Sequence, residues 1–411
     1  MGFKSLLNKY AKLIVKVGVN VQKGQFVVIN SPVQALPFTQ ELVKQAYKAG
    51  AGDVYVNFSD PTIGRYEIDY KSKEALAEVP EWIVARAQHY IAKGICLIGV
   101  NSPDPFAMEG ADATKMQIAS TAAQMKLKDL RAYTMSNQGQ WCVVAYPNDK
   151  WAKKVFPDLS KSQANKKLLE AMLKAVYVNG DADPIEYWNN HNKFIHERSS
   201  KMNKYNFKTL HFKNSLGTNL KVDLVPNHIW HGGSDVTAKG VVFNPNIPTE
   251  EIFTMPSKRG VNGKVFASKP LNLRGALIEG IWVEFKDGAA INYGASKNAD
   301  VFKALINTDE GSKRLGEVAL VPYSSPINLS GILYYNTLFD ENASCHLALG
   351  RAYPTTVKNG TAMSKEELDA VGCNESLEHV DFMIGTNDMN IDGITQDGKV
   401  IPVFKNGNFV I

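Results

Sequence analysis

The pattern of apolar and polar positions changes character near residue 205. Before that point, apolar residues come at helical spacing, interrupted by short unbroken runs. Residues 4–17 put Leu6, Leu7, Tyr10, Leu13, Ile14 and Val17 on one stripe, which predicts an amphipathic helix closed by Gly18. The run Phe26 to Ile29, bounded by Gly24 and Pro32, reads as a buried strand. A helix over 37–48 and a strand over 53–58 follow. The order then repeats, with a helix at about 78–92, a strand over 95–100, a helix over 113–135 and a strand over 141–146. Strands alternating with helices predict an α/β N-terminal domain with a mostly parallel sheet covered on both faces. A helical pattern over 161–204 leads out of it.

Beyond Phe207, a period of two takes over. Short segments beginning at Leu210, Leu220, Gly263, Ile281 and Ala290 alternate apolar with polar residues and are separated by Asn, Gly and Asp turns. Asn214 to Gly217 and the pair Asp287-Gly288 read as hairpin turns. Helices are expected at about 298–306 and 364–371, the second opened by Ser364 with Glu367 three residues on as a capping box. This half is expected to be a β-rich α+β C-terminal catalytic domain, with the boundary placed between 1–205 and 206–411. At 411 residues the chain is too long for one ordinary core, which agrees with two.

Composition narrows the function classes. With 44% hydrophobic and 21% charged residues, the chain reads as folded throughout. The net charge of +5 is small and dispersed, and the lysines of 161–174 sit on the outer face of a helix, so nucleic acid is not an expected partner. Neither an apolar run of membrane-spanning length nor a leader-like segment is visible, so no membrane partner and a cytoplasmic location are expected. The four cysteines, Cys96, Cys142, Cys345 and Cys373, lack any metal-knuckle spacing and read as free thiols of a reducing compartment.

Several familiar chemistries are missing. His196-Glu197 opens like the helical zinc motif HExxH, but Ser200 stands where its second histidine belongs. No phosphate-binding P-loop and no GxSxG elbow occurs, and Ala49 to Asp53 precedes a strand, so its glycines cap a helix. What remains is a concentration of histidine and carboxylate late in the chain. In His379-Val380-Asp381, if the segment is extended, imidazole and carboxylate face one side. His346 lies in the run Asp340 to His346 (DENASCH), and Glu250-Glu251 and Glu317 supply further carboxylates. Oxygen and imidazole ligands suit a hydrolytic metal centre. Cys345 stands beside His346 and reads as a small buried side chain before it reads as a nucleophile.

These runs also resemble a known family, the M29 metallo-aminopeptidases of the aminopeptidase T and aminopeptidase S group. The resemblance is carried by NPNIPTEEIFT at 244–254, TDEGS at 308–312 with LGEVAL at 315–320, FDENASCHLALG at 339–350, and HVDFMIG at 379–385 with IDGITQDG at 391–398. Four separated motifs in one order make it specific. It implies a metal set of Glu251, Glu317, His346, Tyr353, His379 and Asp381, with Tyr353 and Glu317 taking part in catalysis. It further implies two divalent ions per chain, zinc or cobalt ahead of magnesium or manganese, acting on short peptides with a free N-terminus through a bridging water. A homodimer enclosing the active sites is also implied. Tyr323 stands where relatives often carry histidine, outside the ligand set. Glu250 is left open between facing solvent or a structural partner and acting as a general base. The rival expectation is a non-catalytic ligand-binding protein with a structural metal site.

Overall fold

The computed structural model describes residues 3–180, 182–273 and 275–411. The chain forms two compact units, one built from the residues up to Asn190 together with Ser234–Pro248, the other from His191–Gly233 and Thr249–Ile411.

In the first unit, β1 (Phe26–Pro32), β2 (Asp53–Ser59), β3 (Cys96–Asn101) and β4 (Trp141–Ala145) lie in the order β2-β1-β3-β4, every neighbouring pair parallel. Both faces of this sheet are covered, which is why Val27, Val28 and Ile29 are buried in succession. Val27 and Ile29 join Phe38, Leu42, Ile98 and Val144 on one side, while Val28 joins Tyr90, Ile95 and Tyr133 on the other. Two expected helices are in fact pairs. The first breaks at Leu127, whose φ of −102° and ψ of 19° leave the helical region, giving Ala113–Lys126 and Lys128–Met135. The second divides into Lys161–Ala175 and Pro184–Tyr205, with Tyr177 at φ 58° in the gap and Pro184 at the start of the next helix, where its missing N–H costs nothing. A helix over Pro61–Tyr70 has no counterpart in the sequence reading, although Asp60 caps it by accepting from the Thr62 and Ile63 amides.

The second unit contains an eight-stranded antiparallel sheet, running in space through Ala289–Gly294, Trp282–Lys286, Pro256–Phe266, Asn219–Leu224, Thr209–Lys213, Asn390–Ile394, Val400–Lys405 and Asn408–Phe409. Asp287 and Gly288 turn one of its hairpins with φ of 49° and 80°, both in the left-handed region such a two-residue turn requires. A separate four-stranded antiparallel sheet holds β5 (Ile252–Thr254), β6 (Leu315–Leu320), β7 (His346–Gly350) and β8 (His379–Met383) in the order β8-β7-β6-β5. The capping box at Ser364 and Glu367 forms as expected. No helix among the described residues is long and apolar enough to cross a membrane.

Candidate functional site

The β5–β8 sheet has one apolar face and one chemical face, and strand alternation assigns every residue to its side. Ile252, Val318, Leu320, Leu347, Leu349 and Phe382 are in the core. Their alternates face the other way. Ala348 pairs with Glu317 on one side and with Asp381 on the other, while His346 pairs with Ala319 and Met383. His379 pairs with Gly350, and Glu251 immediately precedes β5. Small residues at 319, 348 and 350 leave space on this face, and the ligating groups fill it.

One irregularity decides the arrangement. Leu315 pairs with Leu349 on the core face, so an unbroken strand would put Glu317 in the core as well. The register slips between Leu315 and Glu317, so that Glu317 stands opposite Ala348. This bulge turns its carboxylate to the chemical face. Gly316 makes the bulge possible, because a Cβ there would lie 2.3 Å from the carbonyl oxygens of both Gly350 and Arg351.

Two overlapping triads result. Glu251, Glu317 and His346 bring one ligand atom each within 4.8 Å of one another, as do Glu317, His379 and Asp381. His346 Nε2 lies 3.2 Å from Glu251 and 3.5 Å from Glu317, and His379 Nε2 lies 3.6 Å from Asp381 and 3.8 Å from Glu317. The opposite ring nitrogens are tethered to main chain, His346 Nδ1 donating to Ser344 O at 3.2 Å and His379 Nδ1 to Arg351 O at 2.7 Å. A carbonyl only accepts, so Nδ1 carries the proton in both rings. Nε2 is thereby turned to the carboxylates as a metal-binding lone pair would be.

Sequence reasoning missed Glu341. It is half-buried, and withdrawal of its carboxyl from water together with the charges of Glu251 and Asp381 pushes that group well above the usual range, which places it in the same cluster. It sits in a 3₁₀ turn, Glu341–Ala343, where no periodicity marks an inward face, though the run 340–346 containing it had been singled out. Glu317 is also raised, by burial first and by Asp381 and Glu251 as well, against the opposing effect of His346. Burial alone would lower His346 and His379, but the carboxylates around them dominate and raise both. No lysine or arginine among the described residues ion-pairs with the four acids. Glu251 Oε2 and Asp381 Oδ1 are buried without a hydrogen-bond partner. Converging acids, orphaned oxygens and unprotonated-side imidazoles fit divalent cations.

The remaining expectations resolve individually. Tyr353 follows β7, the strand His346–Gly350. It arrives after the turn at Gly350 and packs its ring 4.7 Å from that of His379. Burial and the surrounding acids raise its phenol, which stays protonated. Glu250 points away from Glu251 and is buried beside His191, 3.6 Å from its Nε2. Cys345 lies in the core, its thiol pushed up to about 12 by burial, and is no nucleophile. All four cysteines are free.

Against this geometry, the model of the M29 family, described as thermophilic metalloprotease, matches residues 3–409. The chain belongs to the M29 family. It is 44% identical to Aminopeptidase 2 of Geobacillus stearothermophilus, with 98% of this chain and 97% of that protein covered. It is likewise 44% identical to Aminopeptidase AmpS of Bacillus subtilis, with 99% of each covered. Among solved structures, AmpT from Thermus thermophilus superposes with a TM-score of 0.92 at 38% identity, covering 100% of both chains. Family and relatives make this M29 protein a metallo-aminopeptidase, a hydrolase, with the fold of AmpT.

Proposed function

We propose that this M29 chain removes amino acids from the N-terminus of short peptides at a dinuclear centre, with Glu251, Glu317 and His346 holding one divalent ion and Glu317, His379 and Asp381 the other. The observation that carries the reading is the tethering of both imidazoles through Nδ1, which leaves two Nε2 atoms directed at a set of carboxylates that no lysine or arginine among the described residues pairs with. Two ions bound there would polarise the scissile carbonyl and supply a hydroxide from shared water near neutral pH. Glu317 belongs to both triads and offers one oxygen to each side. Glu341 adds a further carboxylate to the same cluster. Tyr353, also assigned to the metal's surroundings, keeps its phenolic proton and donates it as a hydrogen bond to the oxygen on which negative charge develops.

Imidazole beside carboxylate favours zinc or cobalt over magnesium or manganese. The family resemblance supports a homodimer whose enclosed sites admit only short peptides, and buried free thiols support a cytoplasmic setting. The decisive experiment chelates the purified protein, restores single divalent ions and follows hydrolysis of leucyl anilide and a dipeptide panel. Activity that vanishes with the chelator and returns with metal is the expected result. A folded, metal-loaded protein that cleaves nothing would overturn the reading and favour the non-catalytic alternative. Sedimentation tests the dimer, which a fully active monomer would contradict.

A further inference from the structure

Beside the acid cluster lies a cavity of ≈ 30 Å³ lined by Leu271, Asn336, Asp340, Glu341, Asp381 and Met383 among others. Its volume suits about two water-sized groups. One wall is built with unusual rigidity. Asp340 accepts the Tyr334 and Asn336 amides at 2.8 and 2.9 Å, Tyr335 between them is held at φ 55°, and Asn336 Oδ1 caps the short helix Thr337–Asp340 by accepting from Leu338 N at 3.1 Å. That cap also fixes which end of the Asn336 amide is which, since only oxygen can accept. The nitrogen is left over. Asn336 is only 6% exposed, and its Nδ2 has no hydrogen-bond partner. A buried donor with nothing to donate to is destabilising, so a group outside the folded chain is expected to meet it.

We infer that Asn336 contacts substrate, its Nδ2 donating a hydrogen bond to a neutral oxygen, carbonyl or hydroxyl, of the first residue of the peptide. The inference rests on the aminopeptidase reading, which puts the scissile bond at the adjoining cluster. Asp340, Glu341 and Asp381 already crowd three acidic groups around the same cavity, so a further carboxylate is disfavoured as the occupant. Leu271 and Met383 give the remainder an apolar wall. Met383 lies on the same face of β8 as His379 and Asp381, so the cavity continues the chemical face. An oxygen entering there belongs either to the main-chain carbonyl of the first residue or to its side chain. Both present a neutral oxygen acceptor to Nδ2.

The test is Asn336→Ser, which keeps a capping oxygen at the helix start while withdrawing the donor from the cavity, with Asn336→Asp as a second variant that caps but has no amide N–H. Steady-state kinetics on leucyl, alanyl, glutaminyl and seryl dipeptides are measured together with metal content and thermal midpoint. The expected result is a fall of about tenfold to a hundredfold in kcat/KM, the scale of one lost buried hydrogen bond, with metal content and midpoint as in the parent. A fall common to all four substrates assigns the main-chain carbonyl. A fall confined to glutaminyl and seryl peptides assigns the side chain. Unchanged kcat/KM on every substrate in either variant, with the parent active, overturns the inference alone and leaves the aminopeptidase reading standing. So does a loss of activity that tracks a loss of metal or of midpoint in both variants, which marks Asn336 as structural. A parent that cleaves none of the panel overturns both.

Discussion

Each unit of this protein contains a four-stranded sheet, and the two use their faces in opposite ways. The parallel sheet β1–β4 spends both on packing, so its central strand buries Val27, Val28 and Ile29 one after another. The antiparallel sheet β5–β8 packs one face with Ile252, Val318, Leu347 and Phe382 and gives the other to Glu317, His346, His379 and Asp381. The first sheet is a scaffold that tolerates any filling of similar volume. The second has a core on one side that fixes the positions of charged groups on the other. Substitutions in the two sheets should therefore fail in different ways.

The sharpest contrast comes from the ligands. His379→Ala or Glu317→Gln should reduce turnover at least about a thousandfold, the scale of groups central to transition-state stabilisation, while circular dichroism stays that of the parent. Full activity in either would break the proposed assignment. Next comes Gly316→Ala, which pushes a methyl into the Gly350 and Arg351 carbonyls and disturbs the slip that aims Glu317. Its turnover should fall by about a hundredfold, and metal should bind more weakly, beyond what a destabilisation of about 1–3 kcal/mol explains. In the parallel sheet, Ile98→Ala, at a position with no exposure, should cost about 2–5 kcal/mol in denaturant unfolding yet leave kcat/KM per folded molecule unaltered. If it lowered kcat/KM instead, the division between scaffold and chemistry would not hold.

Two smaller effects sharpen the picture. Because neighbouring carboxylates raise His346 and His379 above their ordinary value, the metal-free protein holds protons on these groups to higher pH than ordinary histidines do. Metal displaces them, so affinity should rise with pH and fall on acidification. Calorimetric titration in buffers of different ionisation enthalpy should show net proton release; a heat independent of buffer would argue against it. Smallest of all, Cys345, pushed up to about 12, should resist alkylation at pH 8, since a thiol four units below its pKa is about one part in ten thousand thiolate.

How far the sequence disclosed this depends on whether the signal was local. His379 and Asp381 share a face because they are two apart in a strand, which needs no partner strand to see. The parallel sheet was legible for a similar reason, as unbroken apolar runs between helices. Glu317 is different: its face depends on a slip against β7, and a slip is a relation between strands that no single run of residues displays. Glu341 and Asn336 lie in turns, where inward and outward positions have no period. The capping signals were visible but unevenly used, Ser364 with Glu367 being recognised and Asp60 before Pro61 passed over. The family resemblance brought Glu251 and Tyr353 into the site, which spacing alone would not have done.

Ala348 stands level with Glu317 on one side and Asp381 on the other, fully buried and carrying a single methyl. Viewed as history, that methyl is a switch. A valine or leucine there would occupy the space between the two carboxylates, and the chemical face would become ordinary packing like that of β1–β4. The reverse substitution in an inert sheet would open a vacancy before any ligand had been recruited to it. A catalytic centre of this design can thus begin as a hole, and its ancestry is to be sought in small residues at the middle of a sheet as much as in the histidines and acids that later surround them.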